Sequence, residues 1–307
     1  MRMININPGD YKKYFTFHGT LTCLQSEFLL RGSLAQAGLF LTQKGGVFNI
    51  YINRNGEKRC LREGSELYSN GKRYADFLSE FKCYVDLANG GVIPSFSNVP
   101  ESLTKGEFRD AVKAVGKLWY YYGFAEFPYL DLAFEQAKET DNKEIEARLR
   151  EVSQFKFKAR EVMNAYFFQG GVIDNLLSYV SNRFLAFDDV HLDARHFYFD
   201  ELLDVFDGKL LDESVIHERE DCYSAAVIDS TIVHFGYADA VRLNKQFTAF
   251  VGTDVVYGKR ANPGVVRGRA VVAPMLNSDD KISAIDKAMN EGDVLITETA
   301  SPDMIEL

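Results

Sequence analysis

No apolar run in this chain approaches the roughly 18 residues that a membrane-spanning helix needs, and the opening MRMININPGDYKKYF has no apolar core of the kind that marks a secretory leader. A cytoplasmic location without membrane attachment is the expectation. Cysteine is scarce: Cys23, Cys60, Cys83 and Cys222 are scattered with no CxxC spacing, which argues against both a disulfide framework and a zinc site and for free thiols in a reducing compartment. Dense clusters of lysine and arginine are missing too, and the formal net charge is -9, so attraction to a nucleic-acid backbone is disfavoured. Glycine signatures of dinucleotide binding (GxGxxG) and of the serine-hydrolase elbow (GxSxG) are absent.

Histidine is sparse, and none of the five stands in a catalytic pattern. His18 lies in an aromatic segment, His191 and His196 are five apart and so off a shared helical face, and His234 stands between Val233 and Phe235. His217 and Asp221, four apart, could clasp a cation, but two ligands do not make a site, and no metal site is expected. Structural or surface roles are the reading for all five.

What is present is ordinary globular material: 46% hydrophobic and 26% charged residues over 307 positions, enough for a buried core and for two domains. In VFNIYINRNGEKRCL the alternation puts Phe48, Ile50 and Ile52 on one face, and Asn55-Gly56 reads as a tight hairpin turn. Phe28 to Leu41 is apolar without a clear period, and its type stays open. After Pro100 the period becomes helical. Thr104 and Glu107 form a capping-box pair, and Phe108, Ala111, Val112, Val115, Leu118, Trp119 and Tyr122 follow on one stripe.

A second helix is predicted from Tyr129 to about Lys138. A long one follows, carrying Ile145, Leu149, Val152, Phe155, Val162, Met163 and Tyr166, with Gly170 and Gly171 as its stop. Leu176, Leu177, Val180 and Phe184 continue in a shorter helix. The rings of WYYYGFAEFPY and NAYFF either line a pocket for a flat ligand or, at helical spacing, fill a core. Asp200 is predicted to cap ELLDVFD, Gly208 to end it, and a further helix to run from Glu213 to Ala226. From about Leu243 short β-branched runs alternate with glycine and proline. They are interrupted by one helix that begins near Ser278, carries Ile282, Ile285 and Met289, and stops at Gly292.

The segment YGKRANPGVVRGRAVVAPM contains a GKR but not a phosphate loop. A P-loop needs GxxxxGK followed by Ser or Thr, whereas Gly252 and Gly258 have five residues between them and Arg260 stands where the hydroxyl is required. Pro263-Gly264 reads as a turn and Val265 to Ala273 as a strand, in which Gly268 leaves room for a close neighbour.

Taken with the later EGDVLITETASPDMIEL, this stretch resembles the phosphohistidine or swivelling domain of the phosphoenolpyruvate-utilising enzymes, the family of phosphoenolpyruvate synthase, pyruvate phosphate dikinase and rifampin phosphotransferase. The matching positions are Gly258, Ala261, Pro263, Gly264, Gly268, Gly292, Asp293, Val294, Leu295, Thr297, Thr299, Pro302 and Asp303, with Ile296 where valine is usual. The stretch HFYFDELLDVFDGKLLDESVIHERED is similar to the linker of these enzymes, with Arg219 as its arginine. The resemblance covers about the last third of the chain.

With the periodicities above, it leads to an expected α+β architecture: a mainly helical domain with a β-hairpin over 1–190, and, from the resemblance, a linker over 191–242 and a partial β/β/α swivelling domain over 243–307. It also implies a phosphotransferase component whose acceptor histidine follows Leu307, no catalytic residue among those present, and this piece alone inactive. ATP or phosphoenolpyruvate and magnesium would be the business of a separate ATP-grasp chain or domain and of a barrel, passing phosphate to a small-molecule acceptor. Imidazole suits that carrier role because it offers a neutral nucleophilic nitrogen at cell pH. Thr299 and Ser301 are the phosphate-facing candidates, with Ser301 as N-cap, Pro302 at the first helical position and Asp303 set against the helix dipole. The competing expectation is a noncatalytic module binding a small molecule or protein, with the swivelling domain a relic.

Overall fold

The computed structural model describes residues 6–19, 21–89, 102–126, 128–167, 171–187, 190–249, 267–273, 285 and 287–297. The fold is α+β. The chain divides into two compact units, Met1–Gly252 and Thr253–Leu307. No described helix is long and apolar enough to cross a membrane.

The first unit begins with β1 (Tyr11–His18), α1 (Cys23–Arg31), β2 (Leu39–Lys44) and β3 (Val47–Asn53). A long helical run follows: α2 (Arg54–Ser69), α3 (Gly71–Asn89), α4 (Lys105–Phe124), α5 (Asp131–Thr140), α6 (Lys143–Phe167) and α7 (Val172–Phe184). After a short pair, β4 (Ala186–Phe187) and β5 (Val190–His191), come α8 (Phe199–Val205), α9 (Glu213–Asp221), β6 (Cys222–Ile228), β7 (Thr231–His234) and α10 (Tyr237–Ala249).

Five strands make one antiparallel sheet in the order β1-β3-β2-β6-β7. The β2–β3 hairpin closes through Gly45 and Gly46, whose φ values of 56° and 72° belong to a turn that twists with its strands. The alternation read from the sequence holds: Phe48, Ile50 and Ile52 all face the larger core, beside Leu39, Leu41, Tyr223 and Ala225. Residues of opposite parity, Phe40, Tyr51 and Ala226, meet Leu243 and Phe247 of α10 in a smaller core. There the rings of Phe40 and Phe247 stack at 4.1 Å. The sheet therefore lies between the helical layer and α10. On the α10 side Thr42 Oγ1 accepts from Ser224 Oγ at 2.8 Å and from Asn244 Nδ2 at 2.9 Å, which satisfies a buried hydroxyl and joins β2, β6 and α10.

Several local expectations change. Asn55-Gly56 is not a hairpin turn: the side chain of Asn53 accepts from the amides of Asn55 and Gly56 and caps α2, so the chain leaves β3 straight into a helix. Gly56 sits where α2 crosses the backbone of Ala37, whose carbonyl a Cβ would overlap. The helix predicted over Glu213–Ala226 ends at Asp221, and its last five residues belong to β6, where β-branched and small apolar side chains fill the sheet interior. Asp200 is in the first turn of α8 rather than at its cap; the backbone amide of Tyr198 donates to Glu201 at 2.8 Å. Of the two glycines expected to stop α6, Gly171 is the N-cap of α7 and Gly170 lies outside the described residues, while Gly208 follows α8 at φ 75° as expected. Residues 191–242, expected to link two domains, supply two strands of the main sheet, and the β-rich texture expected from Leu243 is still helix to Ala249.

The capping box at Thr104 forms as predicted, with Glu107 N donating to Thr104 Oγ1 at 3.2 Å and Thr104 N donating to Glu107 at 2.8 Å. The open stretch Phe28 to Leu41 resolves into the end of α1, a 3-10 turn at Ser33–Ala37 and the start of β2.

Candidate functional site

In the second unit β8 (Ala270–Ala273) pairs in parallel with β9 (Val294–Thr297), Ala270 opposite Val294 and Ala273 opposite Thr297. The two halves of the predicted motif meet at the entry to this pair. Gly268 lies against the carbonyl of Gly292, where a Cβ would overlap the oxygen, and Gly292 itself has φ 90°. Next to these glycines Arg269 grips Asp293: Nε lies 3.2 Å from both carboxylate oxygens, and an Nη2 bond to Ala288 O of 2.9 Å anchors the guanidinium. Asp293 also accepts from the Asn290 amide at 2.9 Å. Hydrogen bonding by Arg269, then by Asn290, pulls the Asp293 carboxyl down to about 2.

Asp293 is thus a permanent anion that fixes the turn into β9. Thr297 pairs through its backbone with Ala273. Ile285, Lys287 and Ala288 are helical, as the predicted helix requires. Gly258, Pro263, Gly264, Thr299, Ser301, Pro302 and Asp303, together with Ser278 and Ile282, lie outside the described residues.

The first unit holds a buried polar junction that sequence reasoning missed. Glu27 on α1 has 3% side-chain exposure. Its carboxylate accepts from Phe199 N at 2.6 Å and Arg31 at 3.0 Å, and lies 3.5 Å from His234 Nε2. Burial alone would raise its pKa, but hydrogen bonds from His234 and the Phe199 amide, with the Arg31 charge, outweigh that and leave it lowered. The His234 ring packs on Tyr198 with centroids 3.6 Å apart, and the Arg219 guanidinium lies 4.2 Å from the same ring. Arg219 forks onto Glu201 at 2.6 and 2.8 Å and donates to His196 O at 2.8 Å.

The junction ties α1, α8, α9 and β7 together. Its signal in the sequence was Glu27 as the one charged residue in CLQSEFLL. Cys23 beside it is fully buried, and burial pushes its thiol up to about 12, which leaves it without nucleophilic character.

The other histidines follow the structural reading. His217 pairs with Glu213 and Glu220 on its own helix, while Asp221 accepts from Tyr237 OH at 2.7 Å, so the His217–Asp221 clasp does not form. Burial lowers the pKa of His196. Among the described residues no three His, Cys, Asp or Glu side chains gather as a metal site.

Of the aromatic stretch, Tyr122, Phe124 and Tyr129 are buried in the core, Trp119, Tyr120 and Tyr121 are half-buried against it, and Phe127 lies outside the described residues; Tyr129 OH donates to Ser33 O at 2.7 Å, and Tyr68 OH donates to Phe124 O at 2.9 Å. Two open grooves lie on the helical layer instead. One of about 480 Å³ is lined by Asn55, Lys58, Arg59, Leu61 and Arg62 of α2 and Leu132 of α5. The other, about 590 Å³, lies between α5 and α6 and includes the exposed Phe134. No family model, curated protein or solved structure matches this chain.

Proposed function

We propose that the chain is a cytoplasmic phosphotransferase component of the phosphoenolpyruvate-utilising type, in which the second unit belongs to a swivelling domain and the phosphoryl carrier is a histidine following Leu307 in the complete protein. One observation supports this above others. Gly268 and Gly292, 24 positions apart in the sequence, meet backbone to backbone at the head of a parallel β8–β9 pair held by Arg269 and Asp293. Gly268, Gly292 and Asp293 are positions that the resemblance singles out; the close approach of the Gly292 carbonyl gives a physical reason for glycine at 268, and the positive φ of 90° gives one at 292. Phosphate would be carried on imidazole nitrogen, as a phosphoramidate that is formed and broken readily.

Donor chemistry, from ATP or phosphoenolpyruvate with magnesium, is assigned to a separate ATP-grasp chain or domain and to a barrel. The test starts from the complete coding sequence. The full product is incubated with magnesium and either ATP labelled at both its β and γ phosphates or labelled phosphoenolpyruvate, with a candidate ATP-grasp partner added, and the protein is assayed for acid-labile, base-stable label. Label lost on replacing the proposed carrier histidine, which follows Pro302 and Asp303 in the complete sequence, is the expected result. A complete sequence without such a histidine, or one that never labels, overturns the proposal in favour of a noncatalytic binding module.

A further inference from the structure

The groove on α2 carries charge of the wrong sign for its place. Arg54, Lys58 and Arg59 occupy the first two turns of the helix, where the backbone dipole disfavours cations, and Lys58 and Arg62 stand as a like-charge pair at i,i+4. The carboxylates of α2 do not relieve this. Glu57 pairs with Lys12, Glu66 pairs with Arg73, and Glu63 is engaged by Gln36. Among the described residues no carboxylate lies within ion-pair distance of Lys58, Arg59 or Arg62. Among the described residues Arg59 makes a single side-chain hydrogen bond, to Gln36 O at 3.1 Å, with the rest of its fork free of protein partners there. All three cations are exposed on a chain whose net charge is -9. The helix end itself is not the attraction, because Asn53 already caps the amides of Asn55 and Gly56.

From these side chains we infer that the groove is a binding site for the phosphate groups of a soluble organic polyphosphate. Lys58, Arg59 and Arg62 take the phosphate oxygens, and Leu61 and Leu132 meet the less polar body of the ligand. Guanidinium forks match phosphate oxygens in pairs, and an open groove of about 480 Å³ admits two or three linked phosphates with room for an organic group. The inference stands on the first unit and does not depend on the reading of the second.

Isothermal titration of the full chain with sodium tripolyphosphate tests it. One equivalent should bind, more weakly as salt rises. The double substitution Lys58→Gln with Arg62→Gln should weaken binding by about tenfold or more. Its thermal midpoint should not fall, since among the described residues neither side chain has an ion-pair partner to lose and the like-charge pair is removed. Lys113→Gln, an exposed cation on α4, should bind like the parent. Absence of tripolyphosphate binding, or an equal loss in Lys113→Gln, overturns the inference. Displacement of tripolyphosphate by an equal or lower concentration of a heptaglutamate peptide overturns it in favour of an acidic protein partner. Retention on phosphatidylglycerol vesicles without binding of tripolyphosphate overturns it in favour of a membrane headgroup.

Discussion

Glu27 is a carboxylate that folding has made more acidic despite burying it, and the sign of its contribution follows. Its native pKa is lowered, so the stabilisation is present above the unfolded carboxyl value of about 4.3 and is lost as pH falls through the lower native value. Replacing it with glutamine keeps the shape but removes the ionised acceptor from the Phe199 amide and the partner from Arg31. Glu27→Gln should therefore cost about 1–3 kcal/mol at pH 7. The difference from the parent should shrink as pH drops below about 4. Urea melts of both proteins between pH 7 and pH 3 give the comparison, and a difference that stays constant with pH would show that Glu27 is held for its shape and not its charge.

At the scale of elements the two hairpins of the sheet use one kind of turn with different chemistry. Gly45 and Gly46 adopt positive φ at little steric cost, but Asp229 and Ser230, between β6 and β7, are held at φ 48° and 63° with side chains attached. Changing Asp229→Asn together with Ser230→Gly supplies the pair that such turns favour and should stabilise the protein by about 0.5–1 kcal/mol. Chemical denaturation measures this, and a neutral or negative change would mean that the strain is relieved by neighbours. The same turns explain what the sequence conveyed. The Thr104–Glu107 box and the Phe48, Ile50, Ile52 alternation are local patterns, legible from a few neighbouring residues. Asn55-Gly56 read as a hairpin turn, and only the bonds that its amides donate to the Asn53 side chain reveal it as a helix start. CYSAAVI continued an acidic helix on paper and became a strand because β2 offers it a ladder from far up the chain. In the candidate site, Gly268 was legible as a close approach, while the Glu27–His234–Tyr198 junction joins three distant segments and left only one lone acid as its trace.

For the whole molecule, the long-range closure of the sheet decides which pieces of the chain are autonomous. Both described cores draw only on residues between Ile6 and Phe247. The interior strand β6 arrives after the entire helical run, pairs with β2, and brings β7 and α10 with it. A fragment ending at residue 190, the boundary expected from the sequence, would leave the hydrogen-bonding edge of β2 open and would uncover Phe40 and Tyr51, which Leu243 and Phe247 of α10 cover. It would also strip Thr42 Oγ1 of both its donors and Glu27 of Phe199 and His234. Residues 1–252 keep all of these contacts. Expressed alone, 1–252 should be monodisperse and unfold in one cooperative transition, whereas 1–190 should aggregate or melt without cooperativity. Size-exclusion chromatography and thermal circular dichroism on the two fragments distinguish these outcomes. A cooperative, monodisperse 1–190 would mean that the helical layer forms a domain without its sheet, and that β6, β7 and α10 are additions to it and not its completion.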